Sequence, residues 1–231
     1  MAKKRISDVL IEVLANAGIE RIYGITGDSL NSVNDSLRRN GKIAFEHVRH
    51  EETAAFAAGA EASLTHKLTV CAGSSGPGNL HLINGLFDCH RNRVPVLAIA
   101  SHIPQSEVGL NYFQETHPEN LFKECSCFCE LVSNPKQMPE ILFRAMNAAV
   151  GNQDVAVIVL PGDVAVMEME IDELPVWNPP RLPHIVPQRE DIEEMAAHLE
   201  TGKRITLFCG AGCEGAHDEV VELAKQIGRA S

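Results

Sequence analysis

Residues 46–62 read Glu46-His47-Val48-Arg49-His50-Glu51-Glu52-Thr53-Ala54-Ala55-Phe56-Ala57-Ala58-Gly59-Ala60-Glu61-Ala62, and they decide the fold because a strand passes directly into a helix here. The residues from Lys42 to Val48 mix apolar and β-branched side chains, which is typical of a short strand. Alanine occupies six of the nine positions from Ala54 to Ala62, and alanine is the strongest helix former. The stretch therefore predicts one strand–helix unit whose helix carries mostly methyl side chains.

Two carboxylates, Glu51 and Glu52, fall in the first turn of this predicted helix. Acidic side chains there complement the helix dipole and contribute a few tenths to about 1 kcal/mol, which is a structural role that needs no ligand. At helical spacing, however, Ala55, Ala58 and Ala62 share the face of Glu51. A carboxyl group beside methyl groups allows another molecule to approach closely, so Glu51 is also a candidate functional residue.

Strand and helix patterns alternate on both sides of this unit. Further strands are predicted at residues 19–25, 68–72, 94–101, 128–132 and 155–160, with amphipathic helices between most of them. Strands that alternate with helices of about 10 to 15 residues indicate an α/β fold with a doubly wound parallel sheet. We expect this first domain to comprise residues 1–166.

The composition changes after residue 166. Five prolines between residues 167 and 188 predict a stiff, extended linker. Residues 189–231 then predict a helix, a strand at 204–209 and another helix. Because a single strand cannot cover its own edges, we interpret this part as the truncated start of a second α/β domain, and the chain as an N-terminal fragment. Docking of this helix–strand–helix on the edge of the first sheet is the alternative.

Charge and composition exclude several classes of protein. The formal net charge of −11 provides no basic surface for a nucleic acid. No apolar run approaches the ~20 residues of a membrane-spanning helix, so no transmembrane segment is expected. Seven cysteines without the paired spacings of a disulfide scaffold suit a reducing compartment. We therefore expect a cytoplasmic protein.

Four sequence features fall at predicted carboxyl ends of strands, where open parallel sheets bind their ligands. They are Thr26-Gly27-Asp28, His50-Glu51, the run from Ser74 to Asn79, and Ser101-His102 with the loop after it. Gly76-Pro77-Gly78 leaves bare backbone against which a flat ring can pack. The run is not a P-loop, because Asn79-Leu80 follow where a Lys and a Ser or Thr are required. A tight turn built from turn-forming residues is the simpler alternative.

Two further patterns are less informative. Gly210-Ala211-Gly212-Cys213-Glu214-Gly215 matches the GxGxxG dinucleotide fingerprint between a predicted strand and a predicted helix, but a glycine-rich turn fits equally well. Cys125, Cys127 and Cys129 alternate, and no His or Cys pair lies nearby at zinc-finger spacing. We interpret these three as small buried thiols.

Several segments taken together resemble the thiamine-diphosphate enzymes of the pyruvate oxidase and acetolactate synthase group. The segments are Tyr23–Asn31, Arg49–Glu52, Cys71–Asn79, Phe87-Asp88 and Tyr112–Glu115. The resemblance extends from Ile6 to about Ile227. Within the group, the run from Asn79 to Asn92 is most similar to the quinone-linked pyruvate oxidases, also called pyruvate:quinone oxidoreductases or pyruvate dehydrogenases (quinone).

The resemblance implies a pyrimidine-binding domain followed by the start of an FAD-binding middle domain. It implies that Glu51 hydrogen-bonds N1′ of the cofactor's aminopyrimidine and thereby promotes removal of the thiazolium C2 proton. Desolvation beside the alanines would favour the neutral carboxyl group that this role requires. The other implied site residues are Gly27, Asp28, Gly76, Pro77, Gly78 and Asn79 near the pyrimidine, Phe113 and Gln114 on the substrate side, and Gly210 and Gly212 near the flavin.

One part of the family pattern is missing. The family holds Mg²⁺ and the diphosphate with a Gly-Asp-Gly motif, whereas Gly27-Asp28 and Gly162-Asp163 both continue differently here. We therefore expect no metal ligand in this fragment and no activity from the fragment alone. The resemblance implies a full-length enzyme that uses thiamine diphosphate, Mg²⁺ and FAD to convert pyruvate to acetate and CO₂ and passes the electrons to quinone. It also implies a homodimer or homotetramer, in the cytoplasm or peripherally at the inner membrane face.

Two alternatives stay open. Within the same chemistry, the protein is an acetolactate synthase or a phosphate-dependent pyruvate oxidase. In a different class, it is a non-catalytic pyrimidine-type domain that dimerises or regulates a partner, with the small-residue helix from Ala54 to Ala62 as its association surface.

Overall fold

The computed structural model describes residues 2–228. Its strands are β1 (Ala2–Arg5), β2 (Arg21–Gly24), β3 (Ala44–His47), β4 (Thr69–Gly73), β5 (Val96–His102), β6 (Phe128–Leu131), β7 (Val155–Pro161) and β8 (Glu168–Ile171). Its helices are α1 (Ile6–Asn16), α2 (Asn31–Asn40), α3 (Glu51–Thr65), α4 (Pro77–Asn92), α5 (Pro118–Leu121), α6 (Met138–Asn152), α7 (Gly162–Val166), α8 (Arg189–Thr201) and α9 (His217–Gln226). Among the described residues, no helix has the length and apolar character needed to cross a membrane.

Six strands form a parallel sheet in the order β3-β2-β4-β5-β7-β6. Two interior strands, β5 and β7, pair along their full length, and every residue of both is buried. The chain moves outward from β2 to β3 and then returns to β4 on the other side of β2. This reversal creates a switch point at the carboxyl ends of β2 and β4, where ligands bind in sheets of this kind. The predicted α/β fold with a doubly wound parallel sheet is confirmed.

Alternate side chains of the strands enter two hydrophobic cores, one on each face of the sheet. Leu97 and Ile99 of β5 belong to the core formed with α1, α2, α6 and α7. Val96 and Ala98 belong to the core formed with α3 and α4. Burial on both faces explains why the central strands are almost continuously apolar in sequence.

Helices α3 and α4 pack against each other through their smallest residues. A Cβ atom placed on Gly85 of α4 would lie 2.6 Å from Cβ of Ala55 and 2.8 Å from the carbonyl oxygen of Glu52, so there is no room for a side chain. Ala55, Ala58 and Ala62 are all buried. The face of α3 that carries these three alanines is therefore covered by α4 within the chain.

Part of the segment expected to be a linker is ordered structure. Strand β8 pairs antiparallel with β1, which joins the two ends of the first domain. Trp177 packs on the core around α1 and α6 and donates from Nε1 to Oδ1 of Asn147 at 2.9 Å. The described residues as far as Leu182 form one compact unit, and the later ones form a second. This moves the end of the first unit from residue 166 to residue 182, because proline content reveals neither a strand pairing nor a buried indole.

The second unit contains α8 and α9 but not the strand expected at residues 204–209. That segment has no regular structure, and Phe208 within it is fully exposed. A strand obtains its hydrogen bonds from a neighbouring strand, and none of the described residues after Leu182 forms one. The expectation of a helix–strand–helix is therefore wrong for the strand.

The cysteines of the first unit differ in burial. Cys71, Cys89 and Cys125 are buried, Cys129 is half-buried and Cys127 is exposed. The expectation of a buried thiol is confirmed for Cys125 and wrong for Cys127. Burial raises the pKa of Cys89 to about 12 and that of Cys125 to about 11. Because the thiolate is the reactive form, these two thiols should be inert in the folded chain.

We expect a thiol reagent at neutral pH to modify the exposed Cys127 and Cys209 before it modifies Cys71, Cys89 or Cys125. The order follows from access and from the pKa values raised by burial. Reaction with dithiobis(nitrobenzoic acid), followed by peptide mass spectrometry, measures it. In guanidinium chloride all seven cysteines should react. Equal rates for Cys89 and Cys127 in native buffer would contradict the expectation.

Candidate functional site

Hydroxyl side chains hold the loops together at the carboxyl edge of the sheet. Oγ of Ser29, which follows β2, lies 2.9 Å from Oγ of Ser74 and accepts from the backbone N–H of Ser75 at 2.9 Å. Ser101, near the end of β5, donates its hydroxyl to the carbonyl oxygen of Ser29 at 2.6 Å. The loops after β2 and β4 and the end of β5 therefore meet in one place. A Cβ atom placed on Gly27 would collide with the side chain of Ser74, so Gly27 lies close to this group of loops.

Glu51 begins α3 at the same edge. His50 is the N-cap, and its Nδ1 accepts from the backbone N–H of Glu52 at 3.3 Å. Although it lies in a first helical turn, Glu51 is only 8% exposed. Its Oε2 is 3.0 Å from Nδ1 of His81 on α4, and its Oε1 is 3.2 Å from where a Cβ on Gly78 would lie. The carboxyl group is thus held between the start of α3 and the glycine turn before α4, away from bulk water.

His50, Glu51 and His81 form a compact cluster whose potential ligand atoms lie within 4.8 Å of one another. The imidazole rings of His50 and His81 stack, with their centroids 4.3 Å apart and their planes 24° from parallel. The lone pair of an imidazole nitrogen lies in the ring plane, so stacked rings direct these lone pairs alongside each other and not toward a shared ion. The cluster therefore supports Glu51 through a hydrogen bond and ring stacking.

The turn from Gly76 to Gly78 requires glycine. Gly76 has a φ of +67° and is the N-cap of α4, with Pro77 at the first helical position. A Cβ on Gly76 would lie 2.7 Å from Cβ of Gln114. The loop after β5 therefore sits directly on the bare backbone of this turn at Gly76, two residues before Gly78, which faces Glu51.

Asn79 and Asp28 differ in what they offer to a ligand. Asn79 is fully buried and donates from Nδ2 to the carbonyl oxygen of Ser101 at 2.7 Å. It joins α4 to β5 and thereby holds the turn in position. Asp28 begins the short 3₁₀ helix Asp28–Leu30 and is exposed.

The loop after β5 presents Phe113 and Gln114 differently. Ser75 donates its hydroxyl to Oε1 of Gln114 at 3.3 Å, which holds Gln114 against the glycine turn. Phe113 is 80% exposed. Glu115 accepts from the backbone N–H groups of Gly109 at 2.5 Å and Tyr112 at 3.1 Å, and the hydrogen bond from Gly109 lowers the pKa of Glu115. These bonds close the loop on itself.

Gly210 and Gly212 lie in the second unit, on either side of Ala211 in a short 3₁₀ turn. Both are exposed, and a Cβ atom placed on either would meet nothing within 4 Å. No close packing requires glycine at these positions, so their role near a flavin stays a prediction.

Residues 4–121 match the family model described as "Thiamine pyrophosphate enzyme, N-terminal TPP binding domain". The chain belongs to this family. The matched residues include Glu51, the glycine turn and the loop with Gln114, so the match covers the whole carboxyl-edge cluster. Thiamine pyrophosphate is the same compound as thiamine diphosphate.

Three relatives of this family member show the range of activities around it. An uncharacterized 42.6 kDa protein in the isoamylase 3′ region of Pseudomonas amyloderamosa is 58% identical over 98% of the chain. Pyruvate oxidase of Lactiplantibacillus plantarum is 31% identical over 94% of the chain, and acetolactate synthase of Arthrospira platensis is 32% identical over 98%. The chain spans 58%, 37% and 41% of the lengths of these three proteins.

The structure of this thiamine pyrophosphate domain brings together Glu51, Gly76, Gly78 and Gln114. Sequence reasoning missed His81, which lies 30 residues after Glu51 and on a different helix. A signal was present, because His81 follows Gly78 by three residues and so shares its helical face. That signal gains meaning only once α3 and α4 are known to pack together.

Proposed function

We propose that this chain is the pyrimidine-binding part of an enzyme that uses thiamine diphosphate to decarboxylate pyruvate oxidatively to acetate and CO₂, passing electrons through FAD to quinone. The observation that carries the proposal is the buried carboxyl group of Glu51 beside the glycine turn. Similarity to a pyruvate oxidase, and the likeness of residues 79–92 to the quinone-linked group, support the choice of substrate and electron acceptor.

The residues at the carboxyl edge fit the aminopyrimidine of thiamine. Gln114 covers the backbone of Gly76, so the flat ring is proposed to approach at Gly78, which has no side chain. Oε1 of Glu51 faces this turn, and a carboxyl group can exchange a proton with a ring nitrogen such as N1′. Ser75 and the buried Asn79 hold the turn in place through their bonds to Gln114 and Ser101.

Thiamine diphosphate, when bound, would supply a thiazolium ring whose C2 bonds to the carbonyl carbon of a 2-oxo acid, and the cationic ring would then accept the electron pair released as CO₂ leaves. The task of Glu51 is to exchange a proton with N1′ of the aminopyrimidine. Helices α3 and α4 exclude bulk water from Glu51, which directs the exchange to the ring. Gln114, held on the glycine turn, is proposed to line the substrate side together with Phe113.

The proposal assigns the remaining cofactor contacts to other parts of the enzyme. The sequence has no Gly-Asp-Gly motif, so Mg²⁺ and the diphosphate are assigned to residues outside these 231. The second unit, with Gly210 and Gly212, is proposed as the start of an FAD-binding domain. The chain alone is proposed to be inactive, and the complete enzyme to be a homodimer or homotetramer in the cytoplasm or peripheral to the inner membrane face.

Acetolactate synthase is the second candidate, and the similarity to the Arthrospira platensis enzyme favours it. The same thiamine chemistry then ends with transfer to a second pyruvate and involves no external electron acceptor. A phosphate-dependent pyruvate oxidase is a variant of the first candidate in which acetyl phosphate replaces acetate. A non-catalytic association module has less support, since Ala54, Ala55, Ala58 and Ala62 are buried within the helix from Ala54 to Ala62 that was expected to form its surface.

Product analysis of the full-length protein separates these candidates. With pyruvate and a quinone analogue, we expect acetate and CO₂ in equal amounts, with one quinone reduced and one water consumed per pyruvate. Omitting inorganic phosphate should have no effect. Acetolactate as the main product, formed without reduction of the quinone, would overturn the proposal in favour of the synthase. Acetyl phosphate that appears only with inorganic phosphate would replace the quinone-linked reaction with the phosphate-dependent one.

A further inference from the structure

His81 contacts the carboxyl group of Glu51 from the neighbouring helix. Its Nδ1 lies 3.0 Å from Oε2 of Glu51. The side chain of Glu51 is 10% exposed and that of His81 is 44% exposed. The hydrogen bond therefore forms at the border of the buried site, with the far side of the imidazole in solvent.

The imidazole of His81 is held in turn by His50. The two rings stack at a centroid distance of 4.3 Å. His50 is fixed as the N-cap of α3, because its Nδ1 accepts from the backbone N–H of Glu52 at 3.3 Å. The orientation of His81 is thus tied to the start of the helix that carries Glu51.

The two carboxyl oxygens of Glu51 have different surroundings. Oε2 is bonded to His81, whereas Oε1 lies beside Gly78. The terminal torsion of a glutamate side chain is broad, so without the bond to His81 the two oxygens would exchange places. We propose that His81 is a positioning residue that fixes the carboxyl group of Glu51, so that Oε1 alone faces the aminopyrimidine. This inference rests on the function proposed above.

The proposed arrangement specifies where the protons lie. A neutral imidazole has one N–H group and one acceptor nitrogen. For Oε2 to accept, Nδ1 of His81 must carry the proton, which leaves Nε2 as the acceptor on the exposed side. The proton that Glu51 exchanges with the ring is then on Oε1. The reverse arrangement, with Glu51 donating from Oε2 to Nδ1, would place this proton on the wrong oxygen.

The tautomer of His81 tests this directly and needs no cofactor. The 231-residue chain is labelled with ¹⁵N in its histidines. Long-range ¹H–¹⁵N spectra at about pH 8, where imidazole is neutral, then report which ring nitrogen of His81 is protonated. His81→Asn identifies the signal by its disappearance. We expect protonated Nδ1 in the wild-type chain and a change of tautomer in Glu51→Ala. Protonated Nε2 in both proteins would overturn the proposal.

If His81 positions Glu51, its loss should slow removal of the thiazolium C2 proton. The rate of exchange of this proton for deuterium is measured in the full-length protein with bound thiamine diphosphate. We expect His81→Ala to slow the exchange at least tenfold, or about 1.4 kcal/mol. His81→Asn places an amide N–H near the position of Nδ1 and should recover the rate to within about threefold of wild type. His198→Ala, which changes an exposed histidine of α8, is the control and should have no effect. A wild-type rate in His81→Ala, or equal rates in the Ala and Asn variants, would overturn the positioning role.

Glu51→Gln separates failure of this inference from failure of the proposed function. If Glu51→Gln slows the exchange and His81→Ala does not, the proposed function stands and the role of His81 falls. If neither variant slows the exchange of the C2 proton, the proposed roles of Glu51 and of His81 are both wrong.

Discussion

Glu51→Gln is expected to lower pyruvate turnover by the full-length protein about 10²- to 10⁴-fold, the usual contribution of general acid–base catalysis. Glutamine has nearly the same shape as glutamate, and its carbonyl oxygen can still accept from His81. Its amide group, however, cannot exchange a proton with N1′ at neutral pH. The quantity to measure is kcat for pyruvate at saturating thiamine diphosphate, so that weaker cofactor binding does not contribute to the loss.

Glu52→Gln is the matched control, because Glu52 occupies the same helical turn. Its carboxylate is half-exposed and accepts from Nδ2 of Asn84 instead of facing the glycine turn. We expect kcat to be unchanged and the helix-dipole contribution to fall by at most about 1 kcal/mol. Both variants should unfold within about 4 °C of wild type. Undiminished turnover in Glu51→Gln, or an equal loss in Glu52→Gln, would remove Glu51 from the mechanism.

Gly85→Ala is expected to destabilise the first unit by about 2 kcal/mol, even though alanine is the better helix former. The new methyl group would lie 2.6 Å from Cβ of Ala55 and 2.8 Å from the carbonyl oxygen of Glu52. Since one of these atoms belongs to the backbone, relief requires α3 to move away from α4. That movement separates Glu51 from His81, so turnover by the full-length protein should also fall. Urea unfolding followed by fluorescence of Trp177, the single tryptophan, measures the stability of this unit.

Gly151→Ala provides the opposite case in the same unit. Gly151 lies in the last turn of α6, and the nearest atom to a Cβ there is Cγ of Pro180, at 4.0 Å. Because there is space for the new methyl group, helix propensity decides whether the free energy of unfolding rises or falls. We expect it to rise by up to about 1 kcal/mol. A Gly85→Ala protein as stable as wild type would show that α3 and α4 do not pack as described.

Local patterns were sufficient for the alternation of strands and helices in the first unit. The apolar runs of β5 and β7 are properties of neighbouring residues, and both strands were predicted to within about two residues of their observed bounds. The same patterns failed at residues 204–209, because the described residues after Leu182 contain no second strand with which this apolar segment could pair. They also failed at β8, which pairs with β1 from more than a hundred residues earlier in the chain. They failed again at Trp177, which is held by a hydrogen bond to Asn147 of α6.

Some residues of the candidate site were also located from local sequence patterns, whereas one was not. Glu51 and the turn from Gly76 to Gly78 were located from sequence because each lies at a strand–helix junction, and a parallel sheet places such junctions at one edge. His81 was not located, because its importance depends on how closely α3 approaches α4. That distance is set by Ala55 meeting Gly85, a contact between segments that are far apart in the chain.

The amino-acid order by itself determined the doubly wound α/β architecture and the edge of the sheet at which a ligand would bind, because hydrophobic period and glycine turns are short-range properties. Only the tertiary structure decided that the alanine face of α3 is covered by α4, that strand β8 closes the first unit, and that a histidine holds one oxygen of Glu51. Those outcomes depend on packing between distant segments, and packing leaves no periodic signal in a single sequence.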